Sequence, residues 1–385
     1  MIGFDLTAEQ KSLQEKAGRF AKEVILPVAG KHDREGTFPL NVMEKAYGEG
    51  FFTPMVPKEY GGQGLGVLDN CMIAEELAAG CMGVYVSIFV STLALYPIIR
   101  FGTEDQKKRF LTPFCSKFSM ASYCLSEVTV GSDPASMKTT AVLKEDHYLL
   151  NGTKMWITNG GYADLYLVFA TTDPQKRHKG IVSLIVPSNL KGISHGEPID
   201  KMGQRASNTT TVTFNHVRVQ KENLLAGEGD GFKKAMAALD ITRPMIAIGA
   251  VGIARSAMEL ATQYAKKRIQ FGVPISQHQA IQFILADMAI DIEAARLLVY
   301  RAAWLADQGA KNSKEAAMAK AFAADVAMRV TTDAVQIYGG MGYTQWHPVE
   351  KLMRDAKVIQ IYEGTAQIMR LIIARQMLQE VERTF

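Results

Sequence analysis

The chain has 385 residues, of which 48% are hydrophobic and 21% charged, and its formal net charge is +4. This composition is that of an ordinary soluble globular protein, and it excludes intrinsically disordered, collagen-like and coiled-coil proteins. The small net charge gives no electrostatic reason to expect a nucleic-acid partner. At roughly 150 residues per domain, the length predicts two or three domains, or one large unit of several parts.

The cysteines indicate a reducing compartment. The four of them form no Cys-x-x-Cys pair, so neither a disulfide framework nor a structural zinc site is expected. The seven histidines lack metal-ligand spacing such as HExxH, and no metal site is predicted. The N-terminal segment has the pattern of neither a signal peptide nor a transit peptide. We therefore expect a location in the cytoplasm of a bacterium, or in the mitochondrial matrix if the chain is a processed one.

The N-terminal part of the chain is predicted to be helical. Thr7 and Gln10 form a capping box at the start of an amphipathic helix that extends to Ala29. Pro27 is expected at or past the end of this helix, because proline interrupts the interior of an α-helix.

A run of 23 uncharged residues, from Leu77 to Ile99, is long enough for a membrane span. Gly, Ser, Thr and Pro dilute this run, and the chain has no second such stretch. We therefore predict a helix that is buried on all sides inside the protein, and no membrane span.

The middle of the chain has short runs typical of strands. Turn sequences such as Asn151-Gly152 and Asn159-Gly160-Gly161 separate them. The connections are too short and too polar for crossover helices, so an antiparallel barrel or sandwich is favoured over a parallel sheet. From Gly231 onward the helical period returns, and four long helices predict a bundle.

The predicted architecture is α+β, with three domains in the order helical, β, helical. The N-terminal α-helical domain covers residues 1–120, the central antiparallel β-barrel domain covers 121–230, and the C-terminal four-helix bundle covers 231–385. These limits follow from the changes in hydrophobic period along the sequence.

Glu363 is the candidate catalytic residue. It stands alone in an apolar turn, Ile361 to Gly364, immediately before the last predicted helix. Burial would raise the pKa of its carboxyl toward that of a general base, and the dipole of the following helix would oppose this rise. On spacing alone, a solvated or helix-capping glutamate is an open alternative.

Five motifs connect the chain with a known family. They are Lys154 to Gly161 (KMWITNGG), Met202 to Ser207 (MGQRAS), Arg268 to Gly272 (RIQFG), Gln336 to Gly340 (QIYGG) and Tyr362 to Thr365 (YEGT). In this order and spacing the chain resembles the acyl-CoA dehydrogenase family over essentially its whole length, with the medium-chain and short-chain branches as the most similar. The fold of that family agrees with the three-part organisation predicted above.

The resemblance implies an FAD enzyme that removes the C2 proton and the C3 hydride of an acyl-CoA thioester and passes the electrons to an electron-transfer flavoprotein. Glu363 matches the catalytic base of the family. A thioester α-proton is much less acidic than a carboxylic acid, so the carbonyl oxygen must also be polarised by hydrogen bonds. In the family these come from the Glu363 backbone N–H and a flavin hydroxyl.

Two groups of residues match FAD-contacting positions of the family. Near the flavin ring or within the same chain these are Tyr123, Leu125, Ser126, Ser132, Trp156, Ile157, Thr158, Thr365 and Gln367. Segments that reach the FAD of a neighbouring subunit supply Arg268, Gln270, Phe271, His278, Gln279, Gln336, Ile337, Gly339 and Gly340. Because FAD contacts would then be divided between subunits, a homotetramer built as a dimer of dimers is expected.

A third group matches positions that contact the acyl-CoA substrate. The CoA part would be contacted by Ser132, Asp240, Thr242, Arg243 and Gly364, and Tyr362 is a further substrate-binding position. The uncharged helix would line the acyl tunnel, where the bulky Tyr85 and Phe89 favour a short or wide pocket for short-chain, branched or alicyclic acyl groups.

One loop departs from the family pattern. Where the family usually reads Thr-Glu-Pro-Gly-Ala-Gly-Ser-Asp, this chain has Ser126 to Asp133 with the sequence SEVTVGSD. Val128, Thr129 and Val130 are β-branched and stiff, so the loop is expected to follow a different path near Ser132.

Two other functions are compatible with the same scaffold. One is a flavin oxidase or monooxygenase, which would need oxygen to reach the flavin. The other is a non-catalytic acyl-CoA-binding protein, which the presence of Glu363 disfavours.

Overall fold

A computed structural model describes residues 5–382 of the chain. The N-terminal part is helical, as predicted, and Thr7 and Gln10 form the expected capping box. The α-helices of this part are α1 (Ala8–Phe20), α2 (Leu26–Glu35), α3 (Leu40–Gly48), α4 (Val67–Gly80), α5 (Met82–Phe101) and α6 (Glu104–Ser116).

Pro27 does not end the first helical segment, and this prediction was wrong. A π-helical turn, Ala21–Ile25, joins α1 to α2, and the Leu26 N–H bonds to the Ala21 carbonyl five residues back. The wider turn places Pro27 in the first turn of α2, where a backbone N–H is not needed. The chain therefore stays helical to Glu35.

The uncharged run 77–99 forms parts of two helices, not the single helix that was predicted. Cys81 has an extended backbone, with φ of −169°, and separates α4 from α5. Two helices, Met82–Phe101 and Gly231–Lys267, are long and apolar enough to cross a membrane by length and composition alone. Of the apolar window in α5, 89% is buried inside the protein, which is the interior position that the sequence predicted.

An eight-stranded sheet forms the central part of the chain. Its strands are β1 (Ala121–Cys124), β2 (Thr140–Leu143), β3 (His147–Thr158), β4 (Leu165–Thr171), β5 (Ile181–Pro187), β6 (Ile193–His195), β7 (Thr209–Gln220) and β8 (Leu224–Ala226). Along the sheet their order is β6-β7-β3-β2-β4-β5-β8, and β1 pairs with β4.

This sheet is mixed and does not close into a barrel, whereas an antiparallel barrel or sandwich was predicted. β1 runs parallel to β4, and β2 meets β4 in parallel at one pair of residues, while the other neighbours are antiparallel. The direction of β1 is not set by a hairpin, because a long loop separates it from β2. Asn151-Gly152 is also not a turn, since it lies within β3 at a change of register against β7.

The C-terminal part is a helical bundle with four long helices, as predicted. Its elements are α7 (Gly231–Lys267), a two-stranded hairpin of β9 (Ile269–Gln270) and β10 (Val273–Pro274), α8 (Gln279–Asp307), α9 (Ser313–Tyr338), α10 (Val349–Lys357) and α11 (Ala366–Glu382). α7 and α9 run parallel. Asp240 bonds to Ser313 near the starts of the two helices, and Tyr264 stacks on Tyr338 near their ends, with ring centroids 4.0 Å apart.

α5 is the element that joins the sheet to the bundle. On one side the Ser91 hydroxyl accepts a hydrogen bond from the Ala121 N–H of β1, at 3.1 Å. On the other side the Tyr85 hydroxyl donates to the Met245 carbonyl of α7, at 2.9 Å. A helix with neighbours on both sides must be apolar all round, which explains the uncharged run in the sequence.

Candidate active site

A cavity of about 220 Å³ lies where the three parts of the chain meet. The ends of β1 and β3 and the segment before α11 form part of its wall, and α5 and α7 add one apolar face each. The apolar residues from these two helices are Val86, Phe89, Val90, Leu93, Met236, Leu239 and Ile246. Their spacings of three, four and seven residues place each set on one face of its helix.

Glu363 lines this cavity from the turn that precedes α11. Its φ is +53° and that of Gly364 is +92°, so two successive residues lie in the left-handed region. This conformation is costly for a residue with a Cβ atom and occurs preferentially at functional sites. The Thr365 hydroxyl accepts the Ile368 N–H at 3.1 Å and caps α11. Glu363 is therefore not needed as the cap, which removes the capping alternative.

The carboxylate of Glu363 is withdrawn from water. Both of its oxygens are buried and have no hydrogen-bond partner among residues 5–382. Burial raises the pKa of Glu363 to about 7, although Arg243 and Lys320 act in the opposite direction. The carboxyl therefore changes its charge near neutral pH, as a general base must.

Two cations hold the backbone of this turn. The Arg243 Nε donates to the Glu363 carbonyl at 3.3 Å, and its Nη1 forms an ion pair with Asp240 at 2.6 Å. The Lys320 Nζ donates to the Gly364 carbonyl at 2.5 Å. Lys320 is fully buried, and this burial lowers the pKa of its ammonium to about 8.

The residues predicted near the flavin ring mostly come together at the cavity. Those that line it are Tyr123, Leu125, Ser126, Ser132, Trp156, Ile157 and Thr158. Trp156 has a φ of +64° at a register shift of β3, and 57% of its surface is exposed. The bulge turns this indole away from the sheet, whereas the Ile157 side chain packs into the sheet core.

A buried ion pair supports this side of the cavity. The Lys154 Nζ lies 2.9 Å from the Glu127 carboxylate and 3.0 Å from the Leu125 carbonyl. The backbone N–H groups of Lys138 and Thr139 also donate to Glu127, at 2.6 and 2.9 Å. Although burial would raise it, Lys154 and these amides hold the pKa of Glu127 below its usual value.

The loop that departs from the family pattern forms a tight turn beside this pair. Glu127 and Val130 exchange two backbone hydrogen bonds, at 2.9 and 3.1 Å, across Val128 and Thr129. Val128 is exposed and Val130 is buried in the core. Ser132 still lines the cavity, so the β-branched residues do not remove it from the predicted site.

Several predicted residues support the cavity without lining it. Tyr85 is buried and its ring lies 5.8 Å from that of Phe89. Thr242 is fully buried within α7, and Asp240 is bonded to Arg243. Thr365 caps α11, as described above. The site roles predicted for these residues, and for the exposed Gln367, stay predictions.

The second group of predicted FAD residues lies at the opposite end of the bundle. The hairpin after α7 carries Arg268 to Phe271, and Phe271 is 94% exposed. Arg268 follows Arg243 by 25 residues of one helix, and a rise of 1.5 Å per residue separates them by about 37 Å. Because α9 is parallel to α7, Gln336 to Gly340 lie at this same end. His278 and Gln279, at the start of α8, follow the hairpin directly.

A wider basin of about 740 Å³ adjoins the cavity, and Met236 lines both. Its other lining residues are Lys176, His178, Lys179, Glu228, Gly229, Phe232 and Lys233. Lys176 pairs with Glu228 at 2.8 Å. The three lysines make this basin a basic surface that suits an anionic ligand.

Comparisons with known proteins agree with this arrangement. The acyl-CoA dehydrogenase N-terminal, middle and C-terminal domain families match residues 7–117, 122–217 and 229–378, respectively. An acyl-CoA dehydrogenase of Bacillus subtilis is 44% identical over 97% of this chain and 99% of its own. The chain belongs to the acyl-CoA dehydrogenase family. The resemblance found from the five sequence motifs is therefore confirmed.

Other members of the acyl-CoA dehydrogenase family differ in the substrates that their names state. A probable medium-chain specific acyl-CoA dehydrogenase of Caenorhabditis briggsae, described as mitochondrial, is 40% identical over 99% of this chain and 93% of its own. The structure of butyryl-CoA dehydrogenase from Megasphaera elsdenii is also 40% identical, with a TM-score of 0.96 over 98% of this chain and 100% of its own.

Sequence reasoning missed two residues of this acyl-CoA dehydrogenase that contact the turn around Glu363. Lys320 is a lone charge in an alanine-rich helical run, and a charge on an otherwise apolar face could have signalled it. Gln204 was noted only as part of a motif. It has a φ of +49°, and its Nε2 donates to the Tyr362 hydroxyl at 3.2 Å and to the Asp355 carbonyl at 3.0 Å. No local sequence signal reveals this contact between distant segments.

Lys154→Met tests the buried ion pair. The variant leaves the Glu127 carboxylate buried without a cation, so we expect the free energy of unfolding to fall by about 3–5 kcal/mol. Denaturant titration measures this loss. The double variant Lys154→Met/Glu127→Gln should recover much of it, because no buried charge remains. In Lys176→Met, which breaks an exposed pair, the change should stay within about 1 kcal/mol. Equal losses in both single variants would contradict the proposed support.

Glu363→Gln tests the burial of the Glu363 carboxyl. Because folding raises its pKa from 4.5 to about 7, ionisation destabilises the folded state above pH 7 and costs nothing below about pH 4.5. We therefore expect the variant to be more stable than the wild type at pH 8, by on the order of 3 kcal/mol, and equal to it near pH 4.5. Denaturant titrations at both pH values decide this. Glu127→Gln should instead be less stable than the wild type at pH 8.

Proposed function

We propose that this protein is an FAD-dependent acyl-CoA dehydrogenase that forms the 2-enoyl-CoA from a short-chain, branched or alicyclic acyl-CoA. The observation that carries the proposal is the Glu363 carboxylate, which is buried at an apolar cavity and has no hydrogen-bond partner in the described part of the chain. A carboxylate in that position has free lone pairs for a substrate proton. Family membership supports the reaction class.

Glu363 acts as the base toward the C2 proton of the thioester. With its pKa at about 7, the carboxylate is a stronger base than an ordinary glutamate and is still largely ionised above neutral pH. The backbone N–H of the same residue is expected to polarise the thioester carbonyl where negative charge develops. The dry, apolar surroundings strengthen both interactions, because little water competes with them.

The residues around Trp156 fit a flavin. An exposed indole next to an apolar cavity offers a flat surface for a large planar ring, and Leu125, Ser126 and Thr158 lie beside it. FAD bound there would accept the two electrons and the hydrogen from C3. The Lys154 and Glu127 pair supports this wall, since Lys154 also holds the Leu125 carbonyl.

Two aromatic side chains support a compact acyl group in this cavity. Phe89 lines it, and Tyr85 fixes Phe89 from behind through ring contact and its own bond to α7. The basic basin beyond Met236 suits the phosphate groups of CoA.

The remaining parts of the proposal concern the electron acceptor and the compartment. We take an electron-transfer flavoprotein as the acceptor, because the family resemblance implies it. Bacterial cytoplasm and the mitochondrial matrix are both compatible with such a partner.

Anaerobic titration of the purified holoenzyme with acyl-CoA thioesters tests the proposed reaction. Butyryl-, isobutyryl- or cyclohexanecarboxyl-CoA should bleach the flavin at least about tenfold faster than octanoyl-CoA, because the cavity is short. Glu363→Gln should retain FAD and slow bleaching by about 10²–10⁴-fold, the usual contribution of a general base. Phe89→Ala should increase the rate of bleaching by octanoyl-CoA relative to the rate with butyryl-CoA.

Three results would overturn parts of this proposal. Fastest bleaching by octanoyl-CoA would contradict the short pocket. An unchanged rate in Glu363→Gln would remove the assigned base. Stoichiometric hydrogen peroxide in air without an added acceptor would favour an oxidase instead of transfer to a flavoprotein.

We also propose that the Arg268 hairpin serves the active site of a neighbouring subunit, in a homotetramer built as a dimer of dimers. Arg268 is about 37 Å from Arg243 along one helix, too far to contact a flavin that lies beside Glu363 of the same chain. Its guanidinium suits a pyrophosphate, to which it can bond at two points.

Hybrid oligomers test this sharing of sites. Glu363→Gln and Arg268→Ala subunits with different affinity tags are expressed together, and oligomers that contain both are isolated. One site of each mixed dimer then has both native residues and the other has neither, so we expect activity above that of either parent and at most about half of the wild type. A hybrid no more active than its parents would show that both residues serve the same chain.

A further inference from the structure

Lys320 differs from the other fully or largely buried lysines of the described chain. Lys154 and Lys351 each lie against a carboxylate, Glu127 at 2.9 Å and Asp355 at 2.5 Å. Lys320 has 0% exposure, yet its Nζ bonds to a backbone carbonyl, that of Gly364. A buried charge without a paired ion is costly, so its retention calls for a counter-charge nearby.

The other charges around this site are already paired. Arg243 is held by Asp240 at 2.6 Å. Asp325, on the same helix as Lys320, pairs with Arg370 at 2.7 Å and accepts a hydrogen bond from Gln360. Among the described residues near this turn, the Lys320 ammonium and the Glu363 carboxylate remain as opposite charges without an ion pair.

Lys320 also acts on the geometry of the catalytic turn. Its hydrogen bond reaches the carbonyl of Gly364, directly after Glu363, where two residues have positive φ. Ending this bond would free a turn that α9 now ties to the bundle. The Lys320 side chain thus affects both the position of Glu363 and the charge state of its carboxyl.

We propose that Lys320 is the counter-charge and positioning residue of Glu363: its ammonium favours the ionised base, and its hydrogen bond to Gly364 fixes the catalytic turn. This inference rests on the proposed role of Glu363. Lys320 touches neither the substrate nor its reacting atoms, and it acts through Glu363.

The sign of the expected pH effect follows from the surrounding groups. The titratable or charged groups near Glu363 and Lys320 are Tyr85 on α5, Tyr123 on β1, Asp240 and Arg243 on α7, Asp325 on α9, Tyr362 beside the base, and Arg370 on α11. Burial raises the pKa of each of the three phenols, which are therefore neutral near pH 7. Removal of the Lys320 charge leaves Glu363 harder to ionise, so its titration moves to higher pH.

The test measures the titration of Glu363 directly in the FAD-loaded enzyme. Infrared difference spectra between each protein and its Glu363→Gln counterpart follow the carboxyl band against pH. In Lys320→Met and Lys320→Gln the midpoint should rise by about one pH unit, and it should return toward the wild type in Lys320→Arg. Lys320→Gln keeps a hydrogen-bond donor but no charge, so it separates the two parts of the proposed role.

The rate of flavin bleaching gives a second readout. A rise of the midpoint from pH 7 to 8 reduces the ionised fraction at pH 7 about fivefold, and the rate of Lys320→Gln should recover at pH 9. Lys320→Met should recover less, because the turn is also released. Thr331→Val removes another buried polar group from α9 and should leave both the midpoint and the rate unchanged.

The outcomes distinguish this inference from the proposed reaction. If no acyl-CoA bleaches the wild-type flavin, the proposed reaction fails, but the infrared midpoints still test Lys320. If Lys320→Gln and Lys320→Arg both titrate like the wild type, the counter-charge role is wrong. If the Lys320 variants bleach the flavin more slowly at every pH but the titration midpoint of Glu363 does not move, Lys320 has only a structural role.

Discussion

The candidate active site depends on one carboxylate, that of Glu363, which is kept out of water and has no hydrogen-bond partner among the described residues. A buried acid of this kind is unfavourable, and the fold offsets the cost with cations and with backbone contacts made by residues far apart in the sequence. Arg243 from α7 and Lys320 from α9 meet at the carbonyls of two successive residues. The parallel arrangement of α7 and α9 therefore brings both cations to the turn that carries Glu363, in addition to packing the core.

The walls of the cavity keep water away from the Glu363 carboxylate. α5 contacts both the sheet and α7, so its side chains can exclude water from two directions. The β3 bulge turns Trp156 outward at the rim, and the Lys154 and Glu127 pair fixes the neighbouring loop. These elements come from different parts of the chain and all border the same small cavity. The cavity therefore does not belong to any single domain.

Local patterns predicted the elements well, and long-range contacts account for what was missed. The capping box at Thr7 and the bundle of long helices depend on neighbouring residues in the chain, and both were found. The break at Cys81 and the parallel direction of β1 depend on how distant segments pack, which periodicity does not encode. Glu363 was recognised by its motif. Lys320 lies 43 residues earlier, and its bond to the Gly364 carbonyl became visible only when α9 was placed against the turn.

The π-helical turn at Ala21–Ile25 sets the rotation of α2 about its axis relative to α1. One residue more or fewer in a helix turns the next segment by about 100°. Asp33 on α2 lies 2.6 Å from Arg354 on α10, the helix that also carries Asp355, the partner of Gln204. Shortening the turn by one residue would swing Asp33 off Arg354. The extra residue in the wider turn therefore orients α2 so that Asp33 reaches Arg354, in a network that extends to the turn around Glu363.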